Sequence, residues 1–198
     1  MQLLDSLMRI VIFSICIVLL TGCFESDIKT TEFNQKKVDI TEIKEAPNKG
    51  FSYLEQLPAE RIKEYELFVK DRDTSHLLRF SPEQIVLIYM HFVAIVDTAA
   101  IYALTYNDGL LADPERFRKD YNEYVLNTEQ EVALKYRYYD SIQINEETAE
   151  ENSVIVVITV SLGLSTSSVG YGLKKNEHIW KMDIQHFIEY FKQKAAAK

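Results

Sequence analysis

Cysteine is almost missing from this 198-residue chain: the two present, Cys16 and Cys23, lie within the first 23 residues. Everything after Cys23 is without thiols, so no disulfide can brace it and its fold depends on its core alone. Positive charge is also scarce, with 22 Lys and Arg against 30 Asp and Glu, a net charge of −8 and a pI near 5.1. That balance, with no interleaving of arginine and aromatics, excludes a nucleic-acid partner, whose phosphates need a basic surface. His76, His91, His178 and His186 show no metal-ligand spacing, so neither a metal nor a cofactor is expected. No serine stands in a G-x-S-x-G setting, and the glycines near Tyr171 form no phosphate loop. The acidic run Glu146 to Glu151 reads as a solvated turn. No repeat with a period of about 20 to 50 residues is visible.

Long apolar runs are missing too. The longest near the start, Ile10 to Leu20, is broken only by Ser14, follows Arg9 and leads to Thr21 and Gly22. It is about half the roughly 20 residues a spanning helix needs, and has the layout of a signal peptide. Leu20-Thr21-Gly22-Cys23 closely resembles the lipobox of bacterial lipoproteins. The resemblance implies that residues 1–22 are removed, that the Cys23 thiol carries a diacylglyceryl group, and that Cys16 leaves with the signal. Two acyl chains give stable anchoring where one is marginal. The alternative is an ordinary signal peptide with a cysteine beside its cut site. Removing residues 1–22 leaves 176, enough for one domain and a tether. The acidic body suits a protein held by lipid, since it would not adsorb to anionic headgroups.

Residues 23–50 are polar, lack a sustained period and end in Pro47, Asn48 and Gly50, which predicts a lipidated tether. A single α+β domain is expected over 51–198. Pro58 suits the first position of a leading helix over 58–70, with Ile62, Tyr65 and Val69 on one face. Ser81, Pro82 and Gln84 make a helix start with a capping box. The helix that follows is apolar nearly all round from Ile85 to Val96, His91 excepted, so other elements must wrap it. The stripe Ile85, Tyr89, Phe92, Val96, Ala99, Ala103 continues into a second helix, which Asn107-Asp108-Gly109 ends as a glycine C-cap. Asp113-Pro114 starts a third helix through about Val125.

The second half reads with period 2. Val132, Leu134, Tyr136, Tyr138, Ile142 and Ile144 share one face of a predicted strand. The stretch from Ser153 is apolar on both faces in its first half, which predicts a central strand. Gly163, Gly170 and Gly172 suggest bulges or bends, and Lys174 to Glu177 a turn into a last strand around Trp180. A closing helix over 184–194 places Ile184, Phe187, Ile188 and Phe191 on one face.

Helices followed by about four antiparallel strands over 81–183, with one helix too apolar for a surface, resemble the nuclear transport factor 2-like cone. The stretches "SPEQIVLIY", "YALTYNDG" and "HIWKMD" resemble segments of small lipoproteins of Bacillus-like bacteria. The resemblance implies N-terminal helices packed in a strongly curved antiparallel sheet around a cavity, and an anchor in the cell membrane facing outward. A plain antiparallel sheet with helices on one face is the competing architecture.

The chemistry-bearing candidates are few. His91, Tyr102, Tyr136, Tyr138 and Trp180 are candidates for a ligand pocket, and Asp97, Tyr136 and His91 for catalysis. Each has a plainer role: His91 as a satisfied buried histidine, Asp97 as a helix cap, the tyrosines and Trp180 as packing. The expected function is a non-enzymatic module, held to the membrane through diacylglyceryl-Cys23, that binds a small apolar ligand or an envelope protein. The alternative is an enzyme of the ketosteroid isomerase-like or dehydratase-like kind. There Asp97 would be the base, Tyr136 or Tyr138 the oxyanion donor and His91 an orienting group.

Overall fold

The computed structural model describes residues 51–197. The expected signal, lipobox and tether over residues 1–50 lie outside them. Among the described residues no helix is long and apolar enough to cross a membrane.

The chain folds as α+β. Among the described residues the six α-helices are α1 (Ala59–Asp71), α2 (Pro82–Ile95), α3 (Thr98–Leu104), α4 (Pro114–Tyr124), α5 (Leu126–Lys135) and α6 (Ile184–Ala196). Strands β1 (Ser141–Ile144), β2 (Ser153–Leu162), β3 (Ser165–Asn176) and β4 (Ile179–Met182) form an antiparallel meander in the order β1-β2-β3-β4. The sheet is not strongly curled, which corrects the expected curvature.

The capping box forms as the sequence predicts: the Ser81 hydroxyl accepts from the Gln84 N–H, and the Gln84 side chain accepts from the Ser81 N–H. From Ile85 to Val93 only His91 is not fully buried, so α2 is the spine of the core. It contacts α3, α5, β1, β2 and β4 and the 3-10 turn Tyr53–Gln56. Tyr171 of β3 meets Phe187 of α6 at 6.1 Å and bonds a side chain of α5, so the helices gather on this one face of the sheet. The opposite face is open, with Gln143, Ile155 and Ser168 exposed.

Several expectations need correction. Residues 126–135 are helical, and only Ser141–Ile144 of the expected strand is extended. Val125, Glu129, Ala133 and Tyr136 are buried at helical spacing, whereas Leu134 and Tyr138, placed on the inner face by alternation, are 64% and 65% exposed. β2 is paired on both sides but covered on one face: Val154, Val156, Ile158 and Val160 are buried, and Ile155 points outward. The β2–β3 register is unbroken, so Gly170 and Gly172 make no bulge; Gly163, at φ +64°, occupies the turn. In α1 the buried face is Tyr65 and Phe68, with Ile62 half-buried and Val69 exposed; Pro58 is the cap residue rather than the first helical one.

The apolar stripe also stops early. Val96 adopts φ +61° and ends α2, which turns Val96 and Ala99 to solvent and hands burial in α3 to Ala100, Ile101 and Leu104. α3 ends at Thr105, before Gly109, and Thr105 makes an isolated parallel bridge to Met182 beside β4. The turn into β4 is Glu177-His178, both at positive φ, and not Lys174 to Glu177, since Lys174 to Asn176 stay paired with β4 in β3. The closing helix buries Ile184 and Ile188 with Phe187 and Phe191 alongside, as the sequence predicts.

Candidate functional site

Two sites stand out, one a surface groove and the other sealed in the core. The groove has a volume of about 560 Å³, within the ~300–1,000 Å³ of small-molecule sites. Its walls are α2 (His91, Ala94, Ile95) and α5 (Gln130, Ala133, Leu134), with Phe51 to Tyr53 at one side and Arg137 at the rim. The 3-10 turn that brings Tyr53 in starts at Ser52, whose hydroxyl accepts from the Leu54 N–H. The Tyr53 hydroxyl then donates to the Ala133 carbonyl at 2.6 Å, fixing the groove's side to α5. Phe51 stands edge-on to Tyr53 and Tyr138, with ring centroids 4.9 and 5.3 Å away.

His91 is the polar residue that α2 presents to this groove. It is half-buried and stands edge-on to Tyr65 at 5.9 Å. Burial holds its imidazole below the ordinary histidine range, against the opposing pull of the Asp97 carboxylate. The side chain is thus a neutral group with one donor and one acceptor in an otherwise apolar wall.

Asp97 is in the junction between α2 and α3. Its Oδ1 accepts from the Ala100 N–H at 2.9 Å, capping α3, and its Oδ2 accepts from Arg72 at 2.6 Å. The Arg72 guanidinium also lies 5.9 Å from the centres of the Phe68 and Phe92 rings. Both carboxylate oxygens are therefore engaged in holding helices together.

The other candidates are dispersed. The Tyr136 hydroxyl bonds Ser167 Oγ at 2.9 Å in a buried position on the sheet side of α5. Tyr102 packs edge-on against Phe117 at 5.2 Å, and Trp180 is half-buried with the Lys175 ammonium 4.5 Å from its ring centre. Among the described residues no hydrogen bond joins Asp97, Tyr136 and His91. What the structure does bring together is His91 and, through Phe51, Tyr138.

The core site escaped the sequence reading. Glu129 of α5 is only 5% exposed, and its Oε2 accepts from Tyr89 of α2 and Tyr171 of β3, both at 2.9 Å. Tyr89 has one hydroxyl proton and commits it to Glu129, so Tyr121 of α4, 3.0 Å away, donates to Tyr89. Burial raises the Glu129 carboxyl above the usual range, opposed by the bonds from Tyr171 and Tyr89. Burial likewise pushes the Tyr89, Tyr121 and Tyr171 phenols up. None of the four lines the groove, so the cluster acts as a polar brace joining three helices to β3. The signal that could have found it is the spacing of Val125, Glu129 and Ala133, which puts an acid in the buried row of a helix.

Compared with known proteins, the chain matches no protein-family model, and no curated protein matches it.

Proposed function

We propose that this protein is a lipid-anchored, extracytoplasmic binding module whose groove between α2, α5 and Phe51 holds a small apolar ligand. The observation that carries this reading is the groove itself. Its walls are mainly apolar, a neutral histidine and Gln130 offer orienting hydrogen bonds, and Arg137 stands at the rim. Apolar surface is left uncovered around it: Ile95, Leu134 and Tyr138 are each more than half exposed. Clustered exposed apolar residues of this kind mark binding sites rather than ordinary surface.

A binding role is favoured over the isomerase-like alternative because Asp97 and Tyr136 already spend their polar atoms on Arg72, Ala100 and Ser167. The family reading stays a proposal at the level of element order. Helices leading into a four-stranded antiparallel meander, with a bridge at Thr105 between α3 and α4, support a nuclear transport factor 2-like ancestry. The anchor rests on the lipobox at Leu20 to Cys23, with the cell membrane as the proposed location.

Native mass spectrometry of the gently purified protein, before and after denaturation, tests the ligand. The expected result is a small molecule lost on unfolding and absent from Ala94→Trp, where an indole fills the exposed groove wall. A bare mass in the unsubstituted protein would sink the ligand reading. For the anchor, Cys23→Ala is expected to move the protein from membrane to soluble fraction, and unchanged retention refutes it.

A further inference from the structure

The α5 wall of the groove ends near a second unusual feature. β2 and β3 form a hairpin whose last pair is Leu162 with Ser165, leaving Gly163-Leu164 as the two-residue turn. Leu164 is fully exposed and Leu162 is 45% exposed. A leucine that reaches into solvent on a two-residue turn contributes nothing to the core and costs solubility.

The end of α5 fixes where this tip lies. Lys135 Nζ donates to Ser167 Oγ at 2.7 Å, and the Tyr136 hydroxyl bonds the same oxygen. Ser167 is two rungs below the turn, so the leucine tip projects about 7 Å beyond the contact at ~3.3 Å per residue. Exposed Leu134 and Tyr138 flank Lys135 and Tyr136 in the chain at this end of α5, and Tyr138 packs on Phe51. The same end carries Lys135 and Arg137, neither paired with a carboxylate among the described residues. Asp140, the nearby acid on the strand side, spends its Oδ2 on the Ser161 N–H.

We infer that this end, tipped by Leu162 and Leu164 and flanked by Leu134, Tyr138, Lys135 and Arg137, docks on the lipid bilayer that holds the anchor. The inference rests on the anchored reading of Cys23. Leucines enter the acyl boundary, tyrosine sits at headgroup depth and the two cations meet lipid phosphates, the division of labour seen in interfacial membrane contacts. The net charge of −8 supports this orientation, because an acidic body is repelled by anionic headgroups everywhere except at a local cationic end. Docking would hold the groove next to the bilayer, a source of apolar ligands.

The test uses the full acylated chain in vesicles of phosphatidylcholine and phosphatidylglycerol. Leu164→Trp in a Trp180→Phe background makes the tip the single tryptophan, since the chain has one. Leu110→Trp in the same background reports the exposed loop after α3, and circular dichroism confirms that both variants fold. The expected result is a blue-shifted emission at 164 that is quenched by brominated acyl chains, with water-like, unquenched emission at 110. Adding Lys135→Glu and Arg137→Glu is expected to reduce the quenching at 164. Vesicles that carry the protein while residue 164 stays unquenched, or is quenched no more than 110, overturn the docking face alone. Protein that fails to float with vesicles overturns the anchor at Cys23 and the docking face with it.

Discussion

Replacing Glu129 by Gln probes the sealed core site through the pH dependence of stability. Glutamine keeps an acceptor oxygen for the Tyr89 and Tyr171 hydroxyls but has no proton to lose. In the native protein burial raises the Glu129 carboxyl above its unfolded value of about 4.3. Between those two values the folded state binds more protons than the unfolded state, so stability is full below about pH 4.3 and falls as pH rises through the raised value. The loss approaches about 1.4 kcal/mol per pH unit inside that window and levels off above it. The glutamine amide has two N–H donors to satisfy where a protonated acid has one O–H, a pH-independent cost of about 1 kcal/mol. Glu129→Gln should therefore start slightly less stable at low pH and overtake the parent as pH rises. His91 slopes the other way: burial lowers its value, so stability falls as pH drops below the ordinary histidine range near 6.5. That slope is common to both proteins and cancels in their difference. Urea unfolding followed by far-ultraviolet circular dichroism from pH 4 to 8, an interval set by the ~4.3 and ~6.5 reference values, gives the difference directly. Parallel curves across that range would refute the reasoning, for they would mean that Glu129 titrates as it does in the unfolded chain.

Substitutions at three further positions test the brace and the helix junction. Tyr171→Phe removes one donor to Glu129 and should cost about 1–3 kcal/mol in the same melts, with a loss under half of that arguing against the bond. Val96→Gly relieves a β-branched residue at φ +61°, worth about 1–2 kcal/mol, against a glycine entropy cost of roughly half that. A net gain below about 1 kcal/mol is expected, and a net loss would show that the valine is not strained. Asp97→Ala should lose about 1–2 kcal/mol by removing the cap on Ala100, whereas Asp97→Asn, which still caps, should lose less than 1 kcal/mol. Equal losses would place the weight on the ion pair with Arg72 instead of the cap.

What the sequence made legible were features decided by neighbours in the chain. The capping box at Ser81 and Gln84 and the amphipathic face of α6 depend on residues a few positions apart, and they form as expected. The miss at 126–135 has a physical cause. Val132, Leu134, Tyr136 and Tyr138 alternate and are β-branched or aromatic at three of four places, which mimics a half-buried strand. The segment nonetheless holds Leu126, Glu129, Gln130, Glu131, Ala133 and Lys135, strong helix formers, and α2 gives the row through Glu129 a partner that a strand would have wasted. The polar brace was illegible for the same reason: its four residues come from four elements, and only packing shows that they meet. His91 was visible as a candidate, but its groove depends on Phe51 and α5 and could not be seen before α5 was known to be helical.

The order of elements along the chain has a consequence for biogenesis. β2, β3 and β4 each pair with the strand before them, so the sheet closes within microseconds to milliseconds of its strands becoming free. α2 finds only part of its cover locally, in the turn Tyr53–Gln56, α1 and α3: Met90 touches Tyr171, 81 residues later, and Tyr89 waits for Glu129, 40 residues later. At about 5–20 residues per second of synthesis, the first interval lasts roughly 4–16 s. Throughout that time α2, the most apolar helix among the described residues, is present without the part of its cover that the sheet supplies. The nascent chain is therefore a client for a holding chaperone, with 82–95 as the segment to be shielded until β3 is made.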